Sequence, residues 1–314
     1  MKLIEFKNNT RAALAILLAL AAMVPSAVGG DQGSIRWKIT VFVAIPPQAY
    51  FVERVGGANV DVSVLMAPGQ SHETYDPTPK DLARLFEADL YFQIGLPFED
   101  RILTMTAAMA KRFTVIDTRE GITLRQMDEP HHPQGSHAYE GGRDPHIWLD
   151  PQLVKMQARH IRDALVRLDS IHAGDYDANY ASFSADLDRT DSTVAAILAP
   201  YVGAAIYVYH PAYGYFADRY HLREVAVEVE GKEPGAARLG DIIAQARKDR
   251  AATVFVQREV SSKTAEAVAR EIGVGTTILD PLARDYLDNL VQMATIIRDA
   301  LSRGKAQPKG VPHE

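Results

Sequence analysis

An alternation constrains this chain more than any other feature. Short apolar runs rich in β-branched residues recur along it, each followed by a stretch of helical character, and the series occurs twice. Runs at 38–44 (KITVFVA), 60–65, 90–94 and 114–116 read as the strands of the first series. Pro46 opens a helix that runs to about residue 55 and is stopped by Gly56-Gly57. Thr78-Pro79-Lys80-Asp81 supplies an N-cap with proline at the first helical position, and a further helix is expected over about 98–110. Runs at 204–209, 225–229, 253–256 and 276–279 repeat the pattern, with helices between them and a last helix over about 286–303. Strands that alternate with helices build a parallel sheet covered on both faces.

Two long helical stretches, about 152–169 and 175–199, separate the two series, and the second ends at Pro200. The expected fold class is therefore α/β, with two Rossmann-like lobes of parallel sheet joined by a long backbone helix. The boundaries are a first lobe over 36–173, a linking helix over 174–200 and a second lobe over 201–306, with the tail frayed from Gly304 onward. Residues 119–145 break the rhythm. They are rich in Gly, Pro, His and acidic residues without an apolar period, and read as a mobile loop.

The N-terminus reads as a cleavable signal peptide over 1–29. Lys2, Lys7 and Arg11 precede an apolar run at 12–24, Pro25 and Ser26 break it, and Ala27-Val28-Gly29 offers small residues for cleavage. Thirteen apolar residues are too few to cross a bilayer, which takes about 20. The chain has no cysteine. That excludes disulfide scaffolds, cysteine zinc modules, thiol catalysis and a cysteine-linked lipoprotein anchor. A net charge of −6 over 314 residues argues against nucleic acid as a partner. An exported, periplasmic or otherwise extracytoplasmic, acidic monomer is expected.

Four side chains stand where a metal ion would want them. In doubly wound sheets, ligands bind beyond the carboxyl ends of the strands. His72 lies in MAPGQSHETYDPTP, His146 in DPHIWLDP, His210 in YHPAYGYF and Asp280 in LDPLARDY. Their separations of 74, 64 and 70 residues rule out a local finger and require a tertiary site with two ligands from each lobe. Three imidazoles and one carboxylate suit a four-coordinate divalent ion. Each position alone also fits a cap or a hydrogen-bonded loop residue. Their shared setting beside prolines (Pro145, Pro211 and Pro281, with Pro77 five residues after His72) is what points to preorganised ligands.

The segments SHETYDPTP, DPHIWLDP, YHPAYGYFADRYHL, EGKEPGAARL and LDPLARDYLDNL resemble, in content and order, the zinc/manganese solute-binding proteins of bacterial and archaeal ABC importers, the cluster A-I or ZnuA/TroA-like group. The resemblance covers about residues 36–305. It implies a helical-backbone metal receptor that holds its ion between two lobes and delivers it to a membrane permease driven by an ATPase. Carried over residue by residue, it places the ligands at His72, His146, His210 and Asp280. It also implies that the loop carrying His131, His132 and His137 is an auxiliary metal-collecting segment. A solvated loop without that role is the alternative.

With three nitrogens facing one carboxylate, Zn2+ is favoured over Mn2+, and the Irving–Williams order points the same way. Mn2+ or another divalent cargo is the alternative within the class. A secreted zinc hydrolase is the remote one, because three imidazoles with an exchangeable fourth position also form a catalytic pattern. HExxH and the Gly-x-Ser-x-Gly elbow are absent from the sequence, so no enzyme activity is expected. His160, His172, His221 and His313 lack a comparable setting and read as surface or helix histidines.

Overall fold

A computed structural model describes residues 38–67, 69–107, 113–127, 142–228, 234–258 and 262–306. The expected signal segment, His131, His132, His137 and His313 lie outside the described residues. The first β-branched run forms β1 (Ile39–Val43). It leads through α1 (Pro46–Gly56) into β2 (Val60–Val64). Gly57 ends α1 at φ +56°, a conformation glycine adopts without steric cost. Then follow α2 (Pro79–Leu85), β3 (Leu90–Gln93), α3 (Pro97–Ala107) and β4 (Thr114–Asp117). Thr78 caps α2 reciprocally: its hydroxyl accepts from the Asp81 amide, and the Asp81 carboxylate accepts from the Thr78 amide. All neighbours in this sheet are parallel, in the order β2-β1-β3-β4.

After α4 (Pro151–Leu168) and α5 (Ala173–Leu198) the pattern restarts. β5 (Ala205–Val208), α6 (Gly214–Arg219), β6 (Arg223–Ala226), α7 (Ala236–Asp249), β7 (Thr253–Val256), α8 (Ser262–Ile272) and β8 (Gly275–Ile278) give a second parallel sheet, ordered β6-β5-β7-β8. The two sheets share one topology. In both, the chain leaves the first strand to one side, then crosses to the other. This reversal opens a crevice at the strands' carboxyl ends.

α5 spans 26 residues, about 39 Å at 1.5 Å per residue. It buries one stripe, formed by Tyr176, Phe183, Leu187, Asp191, Val194 and Leu198. Phe183 meets Tyr50 and Phe51 of α1 with ring centroids 5.9 and 6.0 Å apart. Phe51 in turn packs edge-on against Tyr286, at 4.8 Å. Tyr286 opens α9 (Tyr286–Ala306), so helices from both ends of the chain gather on α5. Asp191 adds a polar tie: its carboxylate accepts from Arg219 at the end of α6, the Tyr220 hydroxyl and Gln152 of α4.

Three expectations are corrected. The strand expected at 225–229 begins at Arg223, where Arg223 and Glu224 hide the apolar pattern. Its backbone bonds to β5 nonetheless continue to Glu228, whose amide donates to the Tyr209 carbonyl. α9 does not fray at Gly304. A Cβ there would lie 2.5 Å from the Arg250 carbonyl oxygen, and Lys305 donates to the Pro200 carbonyl at 2.9 Å, so packing carries the helix to Ala306. The described ends of the 119–145 segment are ordered by pairing: Gln126 bridges Arg143 antiparallel, Met127 donates to Gly142, and Asp144 donates to Arg125. Among the described residues no helix is long and apolar enough to cross a membrane.

Phe183→Ala removes the ring on which α1 rests and leaves a cavity on a fully buried site. It is expected to destabilise the chain by about 3–5 kcal/mol, read as a lower midpoint in chemical denaturation.

Candidate metal centre

Each expected ligand is set by its local turn. His72 lies in the loop leaving β2, which folds back on its own lobe. The Tyr75 amide donates to the Ser71 carbonyl, and the Tyr75 hydroxyl donates to the Leu65 carbonyl at 3.0 Å. His146 precedes a short, wholly buried turn at Ile147–Leu149. That turn hands the chain to Asp150, whose carboxylate caps α4 by accepting from the Gln152 amide at 2.7 Å. His210 follows β5 directly, with the Tyr209 amide held by the Phe255 carbonyl of β7.

These loops bring His72, His146 and His210 together. All three are buried, and each offers a ring nitrogen within 4.8 Å of the others'. Nε2 of His72 and Nε2 of His146 face each other at 3.2 Å. Two nitrogens bound tetrahedrally to one zinc, at ~2.0–2.1 Å each, would stand about 3.3–3.4 Å apart. The far side of two rings is held by carboxylates. Nδ1 of His146 bonds Asp144 Oδ1 at 2.7 Å, leaving Nε2 as the nitrogen that faces His72. Nδ1 of His210 bonds Glu228 Oε2 at 3.3 Å and lies 3.5 Å from Glu73 Oε1. Its Nε2 is buried and has no hydrogen-bond partner among the described residues. Carboxylates that orient imidazoles in this way fix the tautomer that leaves a lone pair for an ion.

The electrostatics differ from ring to ring. Burial pushes the His72 imidazole well below its ordinary pKa of 6.5, and the charges of His146 and His210 push the same way. Burial also opposes a charge on His210, but the hydrogen bond to Glu228 and the charges of Glu73, Glu228 and Glu224 outweigh it, so His210 titrates above 6.5. Desolvation would raise Asp144, yet its bonds to His146 and Arg125 hold it below the usual carboxylate range.

Asp280, the fourth expected ligand, stands apart from this cluster. Its carboxylate is engaged by the Leu282 amide at 2.9 Å and by Arg258 at 3.3 Å. Its flanking residues nonetheless reach the cluster's surroundings. The carbonyls on either side of it are tied to the aromatic wall, Leu279 to the Tyr213 hydroxyl at 2.9 Å and Pro281 to Trp148 Nε1 at 2.8 Å. The Trp148 ring lies tilted beside His146, with centroids 5.1 Å apart, and is fully buried.

Five acidic residues, Asp76, Asp144, Asp150, Glu228 and Glu230, stand close enough in sequence to these histidines or to strand ends to be able to orient a ring. Asp144 and Glu228 do so, Asp150 caps a helix, Asp76 pairs with exposed Arg101, and Glu230 lies outside the described residues. Glu73 was missed, although it adjoins His72. Arg125 and Arg258 carry no sequence signal. His160 and His172 bond the Glu120 carbonyl and Asp169, away from the cluster.

Residues 41–300 match the profile of the family described as zinc-uptake complex component A, periplasmic. The chain is 26% identical to the high-affinity zinc uptake system protein ZnuA of Bacillus subtilis, over 91% of this chain and 95% of that one. It is 25% identical to the zinc-binding lipoprotein AdcA of Streptococcus pneumoniae, of which it spans 55%. A crystal structure of ZnuA superposes with a TM-score of 0.77 at 40% identity, covering 84% of this chain and 99% of that one. A zinc-bound ZnuA lacking residues 138–173 of its own numbering gives the same score and identity. With most of its length matched in sequence and fold, this chain belongs to the ZnuA family, the periplasmic components of zinc-uptake complexes.

Proposed function

We propose that the chain captures Zn2+ between its lobes through His72, His146 and His210, with Asp280 completing the coordination, and surrenders the ion to a membrane permease powered by an ATPase. The observation that carries this reading is the convergence of three buried imidazoles, two of them with Nε2 atoms 3.2 Å apart and the third with a buried Nε2 that has no hydrogen-bond partner among the described residues. Neutral imidazoles in that arrangement leave lone pairs facing one another, and a divalent ion satisfies them together. Three nitrogen donors favour zinc over manganese. Asp280 reaches the ion by exchanging Arg258 for it. Glu73, 3.5 Å from His210 Nδ1, stands with Glu228 behind that ring and is the other carboxylate at the site.

The work is binding and release, and family membership does not support the hydrolase alternative. A nanomolar site represents about −12 kcal/mol, so delivery requires that a ligand be withdrawn or protonated. The secretory leader implied by residues 1–29 fits this periplasmic role.

Isothermal titration of the mature, metal-free chain with Zn2+ is expected to give one site of micromolar affinity or tighter, lost in His210→Ala. Binding that survives His210→Ala would refute the site. Asp280→Ala is expected to weaken binding, and Glu73→Ala to weaken it less; the reverse order would make Glu73 the fourth ligand. On acidification of the metal-free chain, His210 is expected to take its proton above pH 6.5 and before His72, which takes its own only well below it. Nitrogen-detected NMR of the ring resonances reads that order directly. Because ions and protons compete for the same nitrogens, zinc affinity is expected to begin falling above pH 6.5 as the solution is acidified.

A further inference from the structure

Arg125 belongs to the first half of the chain, next to the Gln126–Arg143 bridge, yet its guanidinium reaches α6 beside the second sheet. Nε donates to Asp218 Oδ2 at 3.0 Å, and Nη1 donates to Asp144 Oδ2 at 3.0 Å. The Arg125 amide donates to the Tyr215 hydroxyl at 3.0 Å, and that hydroxyl donates onward to the Asp144 carbonyl at 2.9 Å. The other oxygen of Asp144 holds both Nδ1 and the backbone N–H of His146, at 2.7 and 2.9 Å. A Cβ on Gly214 would fall 1.6 Å from Arg125 Nη1 and 3.0 Å from Asp144 Oδ2. The guanidinium thus occupies the place a side chain would take at the first residue of α6.

We infer that Arg125 is a positioning residue that couples α6 to the orientation of His146 through Asp144, so that the metal ligand of one lobe is set by the seat of a helix in the other. The inference rests on the zinc-binding reading above. Its physical basis is the planar fork of the guanidinium, which satisfies Asp144 and Asp218 together in only one orientation. With both oxygens engaged, the buried Asp144 has one rotamer, and the His146 ring plane follows it. A shift of α6 forces Arg125 to give up either Asp144 or Asp218. By linkage, an ion held at His146 favours the α6 position in which neither is abandoned.

The test uses the full mature chain with Zn2+ in competition with a chelating dye, and Co2+ absorption as a reporter of ligand geometry. Arg125→Ala is expected to weaken zinc binding about tenfold, the effect typical of groups that orient a metal ligand, and to shift the Co2+ bands. Arg125→Lys keeps the charge without the fork and is expected not to restore either. Gly214→Ala introduces a good helix former but displaces the guanidinium, and is expected to weaken binding to a similar degree. Asp218→Asn is expected to weaken it by a smaller factor, with no further loss in the Arg125→Ala background. If these variants lower only the melting temperature and leave zinc affinity and the Co2+ spectrum unchanged, or if their effects on affinity add in full, the coupling is refuted. Should Arg125→Ala not fold, Gly214→Ala and Asp218→Asn decide the matter alone. A wild-type chain that binds no zinc would overturn the functional reading itself; one that binds while every variant matches it would overturn the coupling only.

Discussion

Two buried imidazoles, each with a carboxylate behind it, set the terms for everything around them. An imidazole stripped of water is a poor base and a poorly oriented one; a carboxylate behind it fixes the tautomer and the ring plane. Asp144 does this for His146 and Glu228 does it for His210, and burial holds His72 toward its neutral form. The cost of hiding these acids is offset by the partners they accept from. Asp144 accepts from a ring, an amide and a guanidinium, so no lone pair of consequence is wasted. The site is therefore a set of paired buried groups in which removing any one member leaves another exposed to the full penalty of desolvation.

The scaffold delivers these groups by repeating one topology. Each sheet reverses its direction of crossing after the first two strands, and each reversal opens a crevice at the carboxyl ends. His72 and His146 come from loops beside the first sheet, His210 and Asp280 from loops beside the second. Glu228 reaches His210 because β6 keeps its backbone bonds to β5 after its regular pleat has ended. The aromatic wall is tied to the same edge: Trp148 and Tyr213 hold the carbonyls on either side of Asp280.

Much of this was legible in the chain itself. The strands announce themselves through β-branched runs, α2 through its proline and reciprocal cap, and the three histidines through strand ends beside prolines. β6 was misplaced because its first residues are charged, and α9 was cut short because Gly304 looks like a terminator until its contact with Arg250 is seen. Asp280 is expected at the site from its place after β8, whereas its engagement with Arg258 has no signal in the sequence, since the two meet only because β7 and β8 lie side by side. Arg125 was invisible for the same reason. It sits in a segment without apolar period, and its partners Asp144 and Asp218 lie 19 and 93 residues away. Pairings of that kind are set by tertiary geometry, which no local pattern encodes.

α5 is braced along its length, with α4, α1 and α9 all laid against it and Phe183 set against the rings of Tyr50 and Phe51. A receptor built around such a strut has no wide swing with which to announce that it is loaded. If the chain takes up zinc as proposed, its full and empty forms would differ in side chains and loop tips, and anything that docks on it would have to read that fine detail at the crevice mouth.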